Sequence, residues 1–260
     1  MTKNKKIQLV AAALVTLLLL VVNIAGGILN ELITGFLCGS GVNMSGAEAQ
    51  EAFALSDDLC KDIAAEGVVM LKNDGVLPME KSELSRVNVF GWRSIDVGWI
   101  GGASGSVNGN NNTVRQKIKP ILVALQESGI ETNEELTSVY EKFCNVGDGK
   151  ALNDGDKFFM LKEPDPSVYT DKIIGTAKDF SDVAIVVFGR QGGEGQDLPK
   201  WQWKYPSNNF DDRVKDRTYL DISSEEEGLL DVVTKNFDKV IVIVNSCNGF
   251  NYSFLENYEN

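Results

Sequence analysis

Apolar residues fall along this chain in three patterns, and each predicts a different kind of element. From Ile7 to Leu29 no charged residue interrupts a run rich in Leu, Val, Ile and Ala. At about 1.5 Å rise per residue, a helix of that length crosses a hydrocarbon core of roughly 30 Å. Shorter solid runs come later: Val183-Ala184-Ile185-Val186-Val187-Phe188, closed by Gly189, and Val240 to Val244. Runs of this length bounded by breakers predict strands buried on both faces of a parallel sheet, and Val87 to Gly91 predicts a further short one.

The third pattern recurs every three to four positions and predicts amphipathic helices. Ser56 caps a helix with Asp57 and Asp58 in its first turn and Leu59, Ile63, Met70 and Leu71 at apolar positions, ending at Asn73-Asp74-Gly75. Val114, Ile118, Leu122 and Leu125 share a face ahead of Gly129, with Pro120 forcing a kink or a later start. Leu136, Val139, Tyr140 and Phe143 follow an Asn133 cap, and Asp171 to Lys178 forms a short helix. Ser223 or Ser224 caps another that begins Glu225-Glu226-Glu227 and turns Leu229, Leu230, Val233 and Phe237 inward. Asn145 to Ser167 reads as an exposed insertion, and Leu198 to Tyr219 as a long irregular stretch. Strands alternating with helices at this spacing imply right-handed βαβ units. The expected fold is α/β, a mainly parallel sheet flanked by helices, preceded by a transmembrane helix.

Charge around the long apolar run sets its orientation. Lys3, Lys5 and Lys6 precede it and Glu31 follows, so the N-terminus is expected in the cytoplasm. The rest would lie outside the cell on a single-pass membrane anchor. The implied organisation is an anchor over residues 1–38, a tether over 39–55 and an α/β domain over 56–260. A cleaved signal peptide is the rival reading, with Ala47-Glu48-Ala49 as the small-residue site. That site lies some twenty residues past the run, and the run exceeds the usual h-region of roughly 7–15 residues, which favours a retained anchor. Cys38 follows the bulky Leu37 and is expected to be unmodified.

Composition narrows the chemistry. A net charge of -12 argues against nucleic acid or an anionic lipid surface as partner, and leaves neutral ligands such as sugars open. The chain has no histidine, which removes Ser-His-Asp and Cys-His catalysis and the HExxH zinc site. Acid and base work therefore falls to carboxylates. Cys38, Cys60, Cys144 and Cys247 are too far apart for a CxxC motif and are expected as buried free thiols, with a disulfide between any two of them as the alternative. No cofactor and no metal are called for, and the charges around Asp148 to Asp171 read as solvated surface.

The run ending at Phe188 leads into Gly189-Arg190-Gln191-Gly192-Gly193-Glu194-Gly195-Gln196-Asp197-Leu198-Pro199. Open α/β sheets place ligands at the carboxyl ends of their strands, and glycines there let a ligand approach the backbone closely. Glu194, flanked by glycines, is suited to act as a reacting carboxylate, or it is a solvated residue of a surface loop. A second Gly/Ser-rich loop, Gly101 to Ser106, lacks the spacing of either phosphate-binding motif, so nucleotide binding is a weak alternative.

Gly192 to Pro199, taken with Glu66-Gly67-Val68-Val69-Met70-Leu71-Lys72-Asn73-Asp74-Gly75-Val76-Leu77-Pro78, resembles the second, α/β sandwich domain of glycoside hydrolase family 3. Between them, Phe90-Gly91 and Gly101-Gly102-Ala103-Ser104-Gly105-Ser106-Val107 resemble that family's first strand and Gly/Ser-rich loop. The resemblance implies a retaining, exo-acting β-glycosidase of the β-glucosidase type, acting on an oligosaccharide or β-glycoside. Glu194 matches the general acid/base, and the nucleophile is an aspartate on a (β/α)8 barrel to which no position here corresponds. The barrel is expected beyond Asn260, as in permuted members, with the sandwich incomplete at the C-terminus and this chain inactive by itself. Asp197 would orient the loop or raise the acid's pKa, or only bond its own backbone. Trp201 and Trp203 would stack on a sugar ring or pack beneath the loop, and Arg190 would tether the loop through a carboxylate. The rival function is a non-catalytic, membrane-anchored module that binds carbohydrate or protein.

Overall fold

The computed structural model describes residues 2–37, 46–95, 119–145, 159–192, 197–204, 213–246 and 248–258. They fall into two units, Met1–Met70 and Leu71–Asn260. In the first unit a helix spans Lys3–Leu37, and its Lys3–Gly27 stretch is long and apolar enough to cross a membrane, a criterion that an N-terminal signal sequence also meets. A second helix spans Ala47–Gly67. It begins ahead of Ser56, because Ala47, Glu48, Ala49, Ala52 and Ala54 all favour helix. It ends before Asn73, because Val68 takes an extended conformation (φ -75°, ψ 123°). The tether expected over 39–55 thus falls partly within this helix and partly outside the described residues. Cys60 is an exposed free thiol on this helix, contrary to the expected burial. Cys38, Cys247 and the Cys144 side chain lie outside the description.

The second unit contains, among the described residues, the strands β1 (Arg86–Phe90), β2 (Glu131–Thr132), β3 (Met160–Leu161), β4 (Val183–Arg190), β5 (Trp201–Lys204), β6 (Val214–Thr218) and β7 (Lys239–Ser246). Four of them form a wholly parallel sheet in the order β2-β1-β4-β7. All eight residues of β4 are buried, as an unbroken apolar run between two neighbours demands. Its alternate residues feed two cores. Val183, Ile185 and Val187 pack with Val87, Val89 and Leu122, the last from the helix Ile121–Glu127. Ala184, Val186 and Phe188 face Tyr140, Ile174, Leu229, Leu230 and Val233 from the helices Glu134–Asn145, Asp171–Phe180 and Ser224–Asn236. Helices therefore cover both faces of a parallel sheet, the α/β sandwich that the alternation of elements predicts.

Local chemistry explains most boundaries. Pro120 precedes the Ile121–Glu127 helix, the later start that its ring requires, and Gly129 ends that segment at φ +82°. Val114 and Ile118 lie outside the described residues. Asn133 Oδ1 accepts from the Glu135 and Leu136 amides, and Thr170 accepts from the Ile173 amide. Buried Asn88, at the centre of β1, donates to the Ala177 and Ser181 carbonyls at 2.9 Å and accepts from Asn133 at 2.9 Å, stitching strand to helix ends. β7 is mostly half-buried rather than fully buried, because β4 is its one partner among the described residues.

Two stretches differ from expectation. Asn145 to Ser167 is not all exposed insertion: Met160, Leu161, Lys162 and Glu163 are buried. Leu198 to Tyr219 contains β5 and β6, which with β3 make a second sheet in the order β3-β5-β6, parallel then antiparallel. β6 reads Val-Lys-Asp-Arg-Thr and β3 has two residues, so neither carries the apolar alternation that marks a strand in sequence. If β4 is the hub of both cores, Phe188→Ala lowers unfolding free energy by about 3–5 kcal/mol, measured by urea denaturation. A loss below about 1 kcal/mol contradicts that placement.

Candidate active site

The strand order reverses direction at one place. From β1 the chain crosses to β2 on one side, then returns to β4 and β7 on the other, so the carboxyl ends of β1 and β4 flank a topological switch point, where open α/β sheets form their crevice. The chain leaves β1 through Gly91 at φ +89°, and a Cβ there would sit 2.3 Å from the Val187 carbonyl oxygen of β4. Only glycine permits that crossing. Trp92, Arg93 and Ser94 follow as a buried turn, with the Arg93 guanidinium carbon 3.8 Å from the Trp92 ring centroid. The Arg93 methylenes pack on Gly189, where a Cβ would lie 3.3 Å from Cγ.

β4 ends on Arg190, which is buried together with Glu226; both side chains are wholly inaccessible. The pair is bidentate, Nη1 to Oε1 at 2.8 Å and Nη2 to Oε2 at 2.6 Å. Arg190 also donates to the carbonyls of Tyr219 at 2.8 Å and Asp221 at 2.7 Å. Burial opposes its charge, but the Glu226 carboxylate outweighs this and holds the guanidinium above its ordinary pKa. Glu226 itself sits in a capping box: Ser223 Oγ accepts from the Glu226 amide, and Glu226 Oε2 accepts from the Ser223 amide. Arg190 is therefore held through a carboxylate at the start of the Ser224–Asn236 helix, whereas residues 193–196, in the stretch it was expected to tether, lie outside the description.

The next two residues are held as firmly. The Gln191 amide donates to Tyr219 Oη at 3.0 Å, and Asn248 Nδ2 donates to the Gln191 carbonyl at 2.9 Å. A Cβ on Gly192 would meet Asn248 Oδ1 at 2.6 Å. Beyond Gly192, residues 193–196, and with them Glu194, lie outside the description, as does the Gly/Ser-rich stretch 101–106.

The family model of the glycosyl hydrolase family 3 C-terminal domain matches residues 68–258. The chain belongs to this family. Curated relatives are a β-glucosidase of Ruminococcus albus, 28% identical over 203 residues, and β-glucosidase A of Butyrivibrio fibrisolvens, 30% identical over 201. These matches cover 76% and 72% of this chain but 18% and 22% of the relatives, so it spans about a fifth of their length. Among solved structures it is similar to β-glucosidase 3B of Thermotoga neapolitana. With glycerol bound that structure gives a TM-score of 0.53 at 26% identity, covering 75% of this chain and 24% of the other. With glucose bound the values are 0.51 at 25% identity, over 74% and 24%.

Within the family 3 domain, Asp197 is exposed just beyond the undescribed segment. Trp201 is half-buried, with the Lys200 ammonium 4.6 Å from its ring centroid, whereas Trp203 is only 4% exposed and packs inside the domain. Of the two indoles, Trp201 keeps accessible surface.

Several residues around the switch point carry no sequence signal. Tyr219 and Asn248 reach Gln191 from 28 and 57 positions away. Glu163 is buried behind the β1 exit turn, where its Oε2 accepts from the Trp92 amide at 3.1 Å. Its Oε1 accepts from the hydroxyls of Tyr169 at 2.9 Å and Tyr140 at 3.4 Å.

Removing one member of a buried ion pair strands the other charge. Glu226→Leu is expected to lower stability by about 3–5 kcal/mol in chemical denaturation. The double variant Arg190→Met/Glu226→Leu should recover most of that loss, short of the about 1 kcal/mol that the cap contributes. A double variant as unstable as the single would contradict the stranded-charge account.

Proposed function

We propose that this family 3 domain supplies Glu194 as the general acid/base of a retaining, exo-acting β-glycosidase of the β-glucosidase type. Its substrate is a terminal β-linked sugar of an oligosaccharide or β-glycoside. The reading is carried by Gly192, which stands at the carboxyl end of β4 beside the switch point, two residues before Glu194. The β-glucosidase identity of the relatives supports it.

Retaining hydrolysis uses two carboxyl groups roughly 5–5.5 Å apart: one attacks the anomeric carbon, the other protonates the leaving oxygen and then activates water. In the proposal Glu194 is the second, and an aspartate on a (β/α)8 barrel outside this chain is the first. A general acid must keep its proton near neutral pH, which requires burial or a neighbouring negative charge. A barrel closing over the loop supplies the burial, and Asp197, three residues on, supplies negative charge or orients the loop. Trp201 is the aromatic face offered to a sugar ring. The Lys3–Gly27 segment anchors the protein in the cell membrane as a single span, with the N-terminus cytoplasmic and the domain outside.

In the protein carrying this domain together with its barrel, Glu194→Gln is expected to lower kcat/KM for an alkyl β-glucoside by about 10²–10⁴-fold. A dinitrophenyl β-glucoside, whose leaving group needs no protonation, should lose far less in the glycosylation step. Equal losses on both substrates, or none on either, contradict the assignment. The 260-residue chain alone is expected to hydrolyse neither.

A further inference from the structure

Among the described residues two carboxyl groups are buried, and they differ in one respect. Glu226 is paired with Arg190, whereas Glu163, 5% exposed, has no ion pair among the described residues. Its partners are the neutral donors of Trp92, Tyr169 and Tyr140, and the two tyrosine hydroxyls also bond to each other. The charged and titratable groups around it come from four elements. The exit turn of β1 carries Arg93, stacked on Trp92. The helix Glu134–Asn145 contributes Tyr140. The segment following β3 contributes Tyr169 and the adjacent Lys162. The helix Ser224–Asn236 contributes Glu226, whose negative charge opposes a second one at Glu163.

We propose that Glu163 is a proton-operated latch on the wall of the switch-point crevice: its neutral carboxyl holds the Gly91–Ser94 turn in place, and its ionisation favours release of that turn. The link is direct, since Oε2 accepts the Trp92 amide hydrogen at 3.1 Å, and Arg93, the next residue, packs on Gly189 at the end of β4. A neutral acid satisfies this pocket, with one oxygen accepting from the turn and a hydroxyl proton shared within the tyrosine pair. A carboxylate there is a desolvated charge with no paired cation among the described residues, relieved when the turn opens to water.

Burial pushes the Glu163 carboxyl up to about 8, against the opposing hydrogen bonds from Trp92, Tyr169 and Tyr140. Opening the turn to water removes the burial penalty and moves the carboxyl back toward the ordinary value of 4.5. The closed form therefore binds the proton more tightly than the open form. Closure is firmest at acidic pH, the ratio of open to closed rises about tenfold per pH unit between those values, and above about 8 it levels off. This device does not depend on the role assigned to Glu194.

Amide hydrogen exchange on the 260-residue chain in detergent micelles, corrected for intrinsic rates, tests it at Trp92 with Val186 of β4 as reference. In the wild type, Trp92 protection should fall about tenfold per pH unit from pH 5.5 to 7.5 and flatten above 8. It should also stay below Val186 protection throughout. Glu163→Gln, permanently neutral, should hold Trp92 protection constant over the same range. Tyr169→Phe, which deletes a bond to the charged form, should push the plateau to higher pH. A pH-independent wild type, an unaltered slope in Glu163→Gln, or equal protection at Trp92 and Val186 would overturn the latch.

Discussion

A strand buried over its whole length can place chemistry only at its ends, and β4 imposes that constraint on the second unit. Its eight residues are enclosed by β1 and β7 at the edges and by two cores on the faces. The last of them is an arginine, a charge that a sheet interior tolerates only with a partner. Glu226 provides it, and Glu226 is in turn fixed by the helix N-terminus that it caps. The carboxyl end of β4 is thereby tied to the Ser224–Asn236 helix at the residue where the glycine-rich segment departs.

Close packing at that edge accounts for the glycines on the described side of the segment. Gly91, Gly189 and Gly192 each occupy a position where a Cβ would come within 3 Å of another residue's atoms. Beside Gly192 the backbone of Gln191 is held by Tyr219 and Asn248. A base so fixed suits the proposed carriage of a reacting side chain by the residues that follow it. In the proposed reaction Glu194 is one of the two carboxyl groups that glycoside hydrolysis requires; the domain matches about a fifth of each curated relative.

Much of the sheet was legible in the sequence, because β4 and β7 are largely apolar runs, β1 is a short apolar stretch around Asn88, and the flanking helices carry their own caps at Asn133, Thr170 and Ser223. The bidentate partner of Arg190 was legible only as an unspecified carboxylate: Glu226 reads as an ordinary first-turn acid, and its second role depends on a contact 36 residues away. β3 and β6 escaped because neither carries apolar alternation, and β5, Trp-Gln-Trp-Lys, alternates over only four residues and buries its polar Gln202. Glu163 escaped as well, since a glutamate between a lysine and a proline looks solvated until a tertiary fold closes over it. β7 reads as fully buried from composition alone, and only the strand order shows it to be half-covered among the described residues.

Chemical rescue tests the central claim most directly. If Glu194 is the acid/base of an enzyme that joins this domain to a (β/α)8 barrel, as proposed, Glu194→Ala would leave the glycosyl-enzyme intermediate without a base to activate water, so azide, which needs none, should restore turnover of an activated β-glucoside and yield the β-glucosyl azide with retained configuration. Rescue with that product is the result predicted. A Glu194→Ala enzyme that azide does not accelerate, or an azide product of inverted configuration, would contradict Glu194 as the acid/base.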